Sequence, residues 1–207
     1  MIKVYSRRQL MASKPYDAEI EYLESTGTQY IDTGIPLYSD MEIGCNFTII
    51  TFVHHSMILG ANNKTTIPRN GLYSMGLFAY NSSKIMSSNY NSDTDGLVMD
   101  VGYTYSILKK NNVTYVDGEL KMNETAVAKY SAGGNCFLFW GGGMHADIST
   151  NKSIVRIASF YIKDSNSNML LDFIPVRKNN IGYMYDKVSG KLFGNSGTGN
   201  FILGPDK

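Results

Sequence analysis

A chain of 207 residues with 19 basic and 18 acidic side chains has a formal charge of +1. No net field therefore draws it to nucleic acid or to an anionic membrane surface. The length suits one all-β domain with a full core, since such domains run to roughly 200 to 250 residues. Twenty glycines and fifteen tyrosines favour sheet and turns over helix.

At the beginning, Met1-Ile-Lys-Val-Tyr-Ser-Arg-Arg-Gln-Leu10 carries charges but no following apolar run of signal-peptide length, and no stretch of about 18 apolar residues reads as a membrane span. A soluble product made in the cytoplasm is expected. Residues 1–20 scatter Val4, Tyr5, Leu10 and Met11 among Arg7, Arg8 and Lys14, and are too few to build a core. They read either as an edge strand of the domain or as an arm laid on a neighbouring subunit, with 21–207 forming the domain proper.

Glu19-Ile-Glu-Tyr-Leu-Glu24 has the acidic spacing found in one jelly-roll family of β-glucanases. Period two puts Glu19 and Glu21 on one face, but Glu24 falls on the other, so a solvated edge strand is expected in place of a catalytic pair. Met41-Glu-Ile-Gly-Cys-Asn-Phe-Thr-Ile-Ile50 alternates strictly. Met41, Ile43, Cys45, Phe47 and Ile49 share one face, and Glu42, Asn46 and Thr48 the other, as in a half-buried antiparallel strand.

Further along, Tyr103, Tyr105 and Ile107 alternate with polar residues before Lys109-Lys-Asn-Asn112 turns the chain into Val113–Val116. Asp117-Gly118 supplies the positive φ angles of a two-residue type I′ turn, and Glu119-Leu-Lys-Met122 returns. Cys136-Phe-Leu-Phe-Trp140 is a short apolar run ending in three glycines, as for a strand covered on both faces. Ser153–Lys163 and Leu170–Val176 read as two more strands, joined by the polar turn Asp164-Ser-Asn-Ser-Asn168. From Ile181 to Pro205, aromatic pairs alternate with turn residues, the pattern of short strands on tight turns.

Two stretches at opposite ends, Tyr22-Leu-Glu-Ser-Thr-Gly-Thr-Gln-Tyr-Ile-Asp-Thr-Gly-Ile35 and Ile181-Gly-Tyr-Met-Tyr-Asp through Gly204-Pro205, resemble the concanavalin A-like, laminin-G-like jelly-roll domains of tailed-bacteriophage structural proteins. The resemblance implies an all-β jelly-roll sandwich of two antiparallel sheets, here with an extended N-terminal arm. It further implies a noncatalytic virion component, either a decorating capsid protein or a tail or fibre part. Its partners would be other virion proteins in an oligomeric assembly, and its location the virion.

The alternative is a lectin-like module that recognises host surface glycan. Trp140 is a candidate stacking residue, though the end of an apolar run is more often core. His145 and Asp147 beyond it are candidates for a sugar hydroxyl or an ion. The adjacent His54 and His55 point to opposite strand faces and make a poor chelate, Asp93-Thr-Asp-Gly96 lacks the further ligands of a calcium loop, and no cofactor motif stands out. Cys45 and Cys136 read as buried free thiols, and the six Asn-x-Ser/Thr triplets as chance matches in an Asn-rich chain.

Overall fold

The computed structural model describes residues 14–53, 56–62, 74–79, 84–90, 92–93, 97–123, 129, 131–140 and 153–207. Among them every regular element is a β-strand. Two short strands, β1 (Ala18–Glu19) and β2 (Leu23–Glu24), precede β3 (Ile31–Tyr38), β4 (Glu42–Thr51) and β5 (Ser56–Asn62). Next come β6 (Ser74–Ala79), β7 (Lys84–Tyr90), β8 (Ser92–Asp93) and β9 (Leu97–Val98). A meander of β10 (Thr104–Lys110), β11 (Val113–Val116) and β12 (Glu119–Asn123) leads to β13 (Ser131–Leu138) and the long hairpin β14 (Ile154–Lys163) and β15 (Met169–Lys178). The chain closes with β16 (Ile181–Asp186), β17 (Leu192–Phe193) and β18 (Ile202–Leu203).

The described strands form two antiparallel sheets. The larger runs β12-β11-β10-β4-β14-β15-β16-β17, with β1 on β15 and β2 bridging β14 and β18. The smaller runs β3-β13-β5-β6-β7-β8, with β9 on β7. Their inner faces share one core, in which Phe47, Ile157, Phe160 and Phe173 of the larger sheet join Ile31, Leu37, Cys136 and Leu138 of the smaller. Each of the Phe, Ile and Leu side chains stabilises the sandwich by about 1.5–3 kcal/mol through burial. The fold is the all-β sandwich of two antiparallel sheets that the alternating sequence led us to expect.

β4 shows how the alternation becomes packing. Ile43, Cys45, Phe47 and Ile49 are at most 4% exposed. Its other face is not open, however, because Glu42 and Thr48 are also buried. Gly44 is the cause. With no side chain there, the Tyr161 ring of the adjacent β14 lies flat across the strand, and a Cβ on Gly44 would stand 2.0 Å from Tyr161 Cε1. The Tyr161 hydroxyl donates to Glu42 Oε1 at 3.0 Å.

The turns follow their chemistry. Val116 pairs with Glu119 across Asp117-Gly118, whose φ angles of 51° and 82° are those a type I′ turn requires. Asp164 Oδ1 accepts the backbone N–H groups of Asn166 and Asn168 at 2.9 and 2.8 Å, which closes the β14–β15 hairpin. Cys45 and Cys136 are both free and buried, one on each sheet, and burial pushes both thiols far above the usual range.

Residues 14–20, the last part of the 1–20 segment read either as an arm or as an edge strand, lie on the sandwich. Ala18 and Glu19 pair with Arg177 and Val176 of β15, Ile20 is fully buried, and the Tyr16 ring meets Tyr185 edge-on at 5.0 Å. The chain is held there because its two ends are laid side by side. Lys207 N–H donates to Glu19 O at 2.9 Å, Glu21 N–H to Pro205 O at 2.9 Å, and Gly204 N–H to Tyr22 O at 3.0 Å. Arg177 adds an ion pair to Asp206 at 2.8 Å. The other arm residues singled out, Val4, Tyr5, Arg7, Arg8, Leu10 and Met11, lie outside the described residues.

Candidate functional site

The outer face of the smaller sheet carries an aromatic patch built from three parts of the sequence. Cys136 and Leu138 of β13 point into the core and are fully buried, so Phe137 between them faces outward. Strict alternation would next put Phe139 out and Trp140 in. Phe139 instead adopts φ 65°, which reverses the alternation: Phe139 stays in the core, 0% exposed, and Trp140 comes out beside Phe137 with ring centroids 5.0 Å apart. Tyr30, just before β3, completes the patch at 4.7 Å from Trp140 and 5.9 Å from Phe137. All three rings are partly exposed.

A bulky residue in the left-handed region is a genuine outlier that costs on the order of 1–3 kcal/mol and concentrates at functional sites. Phe139 therefore marks this corner independently of the rings.

Beside the rings lies a polar pair. Asp32 is the direct cross-strand partner of Phe137, which sets their Cβ atoms about 4.5–5.5 Å apart. Asp32 Oδ1 accepts the Gly34 N–H at 2.8 Å and Asn135 Nδ2 at 3.0 Å, while Oδ2 is 3.3 Å from the same amide. On the other side, Phe137 pairs with Gly60 of β5 and Gly60 with Gly76 of β6. No Cβ rises from the sheet at either register position. The face brings together aromatic rings, a carboxylate and an amide, with two glycines next in register.

The C-terminal loop fixes Tyr30. Asn195 Oδ1 accepts the Tyr30 N–H at 3.1 Å and the Gly197 N–H at 2.7 Å, and Ser196 N–H donates to Tyr30 O at 2.8 Å. Thr28 Oγ1 donates to Thr198 O at 2.9 Å, and Gln29 Nε2 to Asn200 O at 2.9 Å. The two end stretches that carry the family resemblance are thus hydrogen-bonded to one another, and together they hold one ring of the patch.

Other candidates are differently placed. Trp140 belongs to the patch, whereas His145, Asp147, His54 and His55 lie outside the described residues. Glu19 accepts from Lys14 Nζ at 2.6 Å and Tyr16 Oη at 2.9 Å. Glu24 is ion-paired to Arg156 at 2.6 Å. Glu19 pairs with β15 and Glu24 with β14, and Glu21 is exposed between them. On the outer face of the larger sheet, Glu42 gathers Lys163 at 2.8 Å and Lys110 at 3.2 Å. The Lys163 hydrogen bond leads in holding its carboxyl below the usual range. Burial, then the bond to Glu42, push the Tyr161 phenol up to about 12. Lys163 Nζ sits 4.9 Å from the Tyr161 ring centroid, so this cluster is internally satisfied and its ring is capped by a charge.

Tyr30, Asp32, Asn135 and Phe137 do not stand out in the sequence as a site. One signal was present: in Ile31-Asp-Thr-Gly-Ile35, Asp two residues before Gly marks an Asx turn, which is the Asp32–Gly34 bond observed.

No protein-family model matches this chain, and no curated protein matches it. Four solved chains match in structure. One is a "putative carbohydrate binding protein" from Bacteroides ovatus, with a TM-score of 0.53 and 9% identity, over 89% of this chain and 60% of that one. The likeness shows a shared β-sandwich fold, and this chain spans about 60% of that protein's length.

Proposed function

We propose that this chain is a noncatalytic carbohydrate-binding module whose contact surface is the outer face of the smaller sheet at Tyr30, Phe137 and Trp140. The observation that carries the reading is the partly exposed cluster of three rings beside the Asp32–Asn135 pair. A pyranose has an apolar C–H face and a polar rim. Aromatic faces take the first, and a few fixed polar groups orient the second. The name of the similar Bacteroides ovatus structure points the same way.

The test is a glycan array with the full chain and its Phe137→Ala and Trp140→Ala variants, followed by titration calorimetry on any hit. Loss of a stacking ring weakens binding by about tenfold or more, with the circular dichroism spectrum unchanged. A folded parent that binds no glycan, or variants that bind as the parent does, would sink the reading.

A second reading, attachment to a bacteriophage virion, rests on the sequence resemblance and on one structural feature. The chain joins the larger sheet at β1, just after exposed Lys14 and Pro15, away from the aromatic face. Residues before Lys14 would fasten the module while the smaller sheet faces outward to glycan. Removal of residues 1–13 would then abolish incorporation into particles and leave glycan binding intact.

A further inference from the structure

Resting on the carbohydrate-binding reading, we infer that the patch selects uncharged sugars and rejects acidic ones. The polar groups beside the rings are acceptors. Asn135 commits its NH2 group to Asp32 at 3.0 Å, which leaves Asn135 Oδ1 with no donor among the described residues. Asp32 Oδ1 already takes two donors, and Oδ2 has only the longer 3.3 Å contact. A carboxylate oxygen has two lone pairs, so Oδ2 keeps room for incoming hydrogen. Two acceptors side by side match two hydroxyl donors, the pattern of neighbouring hydroxyls on a pyranose.

Charge favours the same selection. Asp32 has no cationic partner among the described residues, and a ligand carboxylate, sulfate or phosphate would bring a second negative charge to within a few ångströms of it. At a partly buried surface that repulsion, with the missing hydroxyl donor, weakens binding by about tenfold or more. The rings do not form a cage for a cationic ligand. Their centroids lie 4.7–5.9 Å apart, in mutual contact, which leaves a surface with no gap between rings for an ammonium group.

The experiment uses the full chain and pairs of probes that differ in charge: lactose and sialyllactose, galacturonate oligomers and their methyl esters, with choline as the cationic control. The expected result is that the neutral member of any bound pair is preferred by about tenfold or more, and that choline is not bound. In Asp32→Asn, neutral binding falls a few-fold and the preference shrinks to within about threefold, because the amide keeps one acceptor but loses the charge. Acidic members bound as tightly as neutral ones, or choline bound at the patch, overturn the inference while glycan binding itself stands or falls separately. An unchanged preference in Asp32→Asn overturns it too, since the discrimination then has another source. A folded protein that binds no probe and no array glycan removes the carbohydrate-binding reading as well.

Discussion

Gly197 tests whether the C-terminal loop positions Tyr30 as described. A Cβ there would lie 2.2 Å from the Thr28 carbonyl oxygen, 3.1 Å from Tyr30 Cδ1 and 3.2 Å from Asn195 Oδ1. The first contact is with backbone and cannot be relieved by a rotamer change, so Gly197→Ala must lift the loop off residues 28–30. Three hydrogen bonds go with it: Ser196 N–H to Tyr30 O, Thr198 N–H to Thr28 O, and Tyr30 N–H to Asn195 Oδ1. At about 1 kcal/mol each the loss is about 3 kcal/mol, or roughly 6–12 °C in melting temperature for a chain of this size.

Gly34→Ala is the comparison. It has open space around its Cβ position but φ +70°, so the cost is backbone strain alone, about 1 kcal/mol and a few degrees. Thermal melts followed by circular dichroism read both variants. A Gly197→Ala protein that melts with the parent, or above Gly34→Ala, would refute the docked loop and with it the account of how Tyr30 is held.

Two further outcomes are expected. Ile20→Ala empties a fully buried core position and should cost about 2–5 kcal/mol in a denaturant titration, whereas removal of residues 1–13, which leaves every described strand intact, should shift the midpoint by less than about 1 kcal/mol. Acid should also weaken the fold through Asp186. Burial alone would raise its carboxyl, but the N–H donors of Asp172, Val188 and Ser189 outweigh it and hold it low. A group with a depressed folded value contributes stability that is fully present above its unfolded value, near pH 4, and is lost as pH falls through the folded one. Asp186→Asn should therefore flatten stability against pH below about pH 4; an unchanged slope would place the acid sensitivity elsewhere.

The sequence showed the sandwich best wherever the backbone stays extended. The Met41–Ile49 stripe, the Asp117-Gly118 turn and the Asp164 turn were all legible, because alternation and turn chemistry are local. The site was less legible because it rests on a departure from that regularity. Nothing in Cys136–Trp140 announces that Phe139 will turn left-handed, and that one dihedral decides which face Trp140 joins. Tyr30 was hidden for a different reason, since its supports lie about 165 residues away in the C-terminal loop. Lys109 broke the ordinary rule for charge: it takes a core-face position opposite Ile43 and is 1% exposed. Strands β5 to β9 went unread because serine, asparagine and glycine interrupt their apolar residues before any period is established.

The pairing of the two chain ends has a mechanical consequence. Residues 19–24 and 202–207 run antiparallel, with the incoming end beside the outgoing one. Tension applied through both ends would therefore load the bonds Lys207–Glu19, Glu21–Pro205 and Gly204–Tyr22 in sequence and peel the two segments apart like a zip, with no step at which all resist together. A load that enters through one of these segments alone would not pull the two apart in this way.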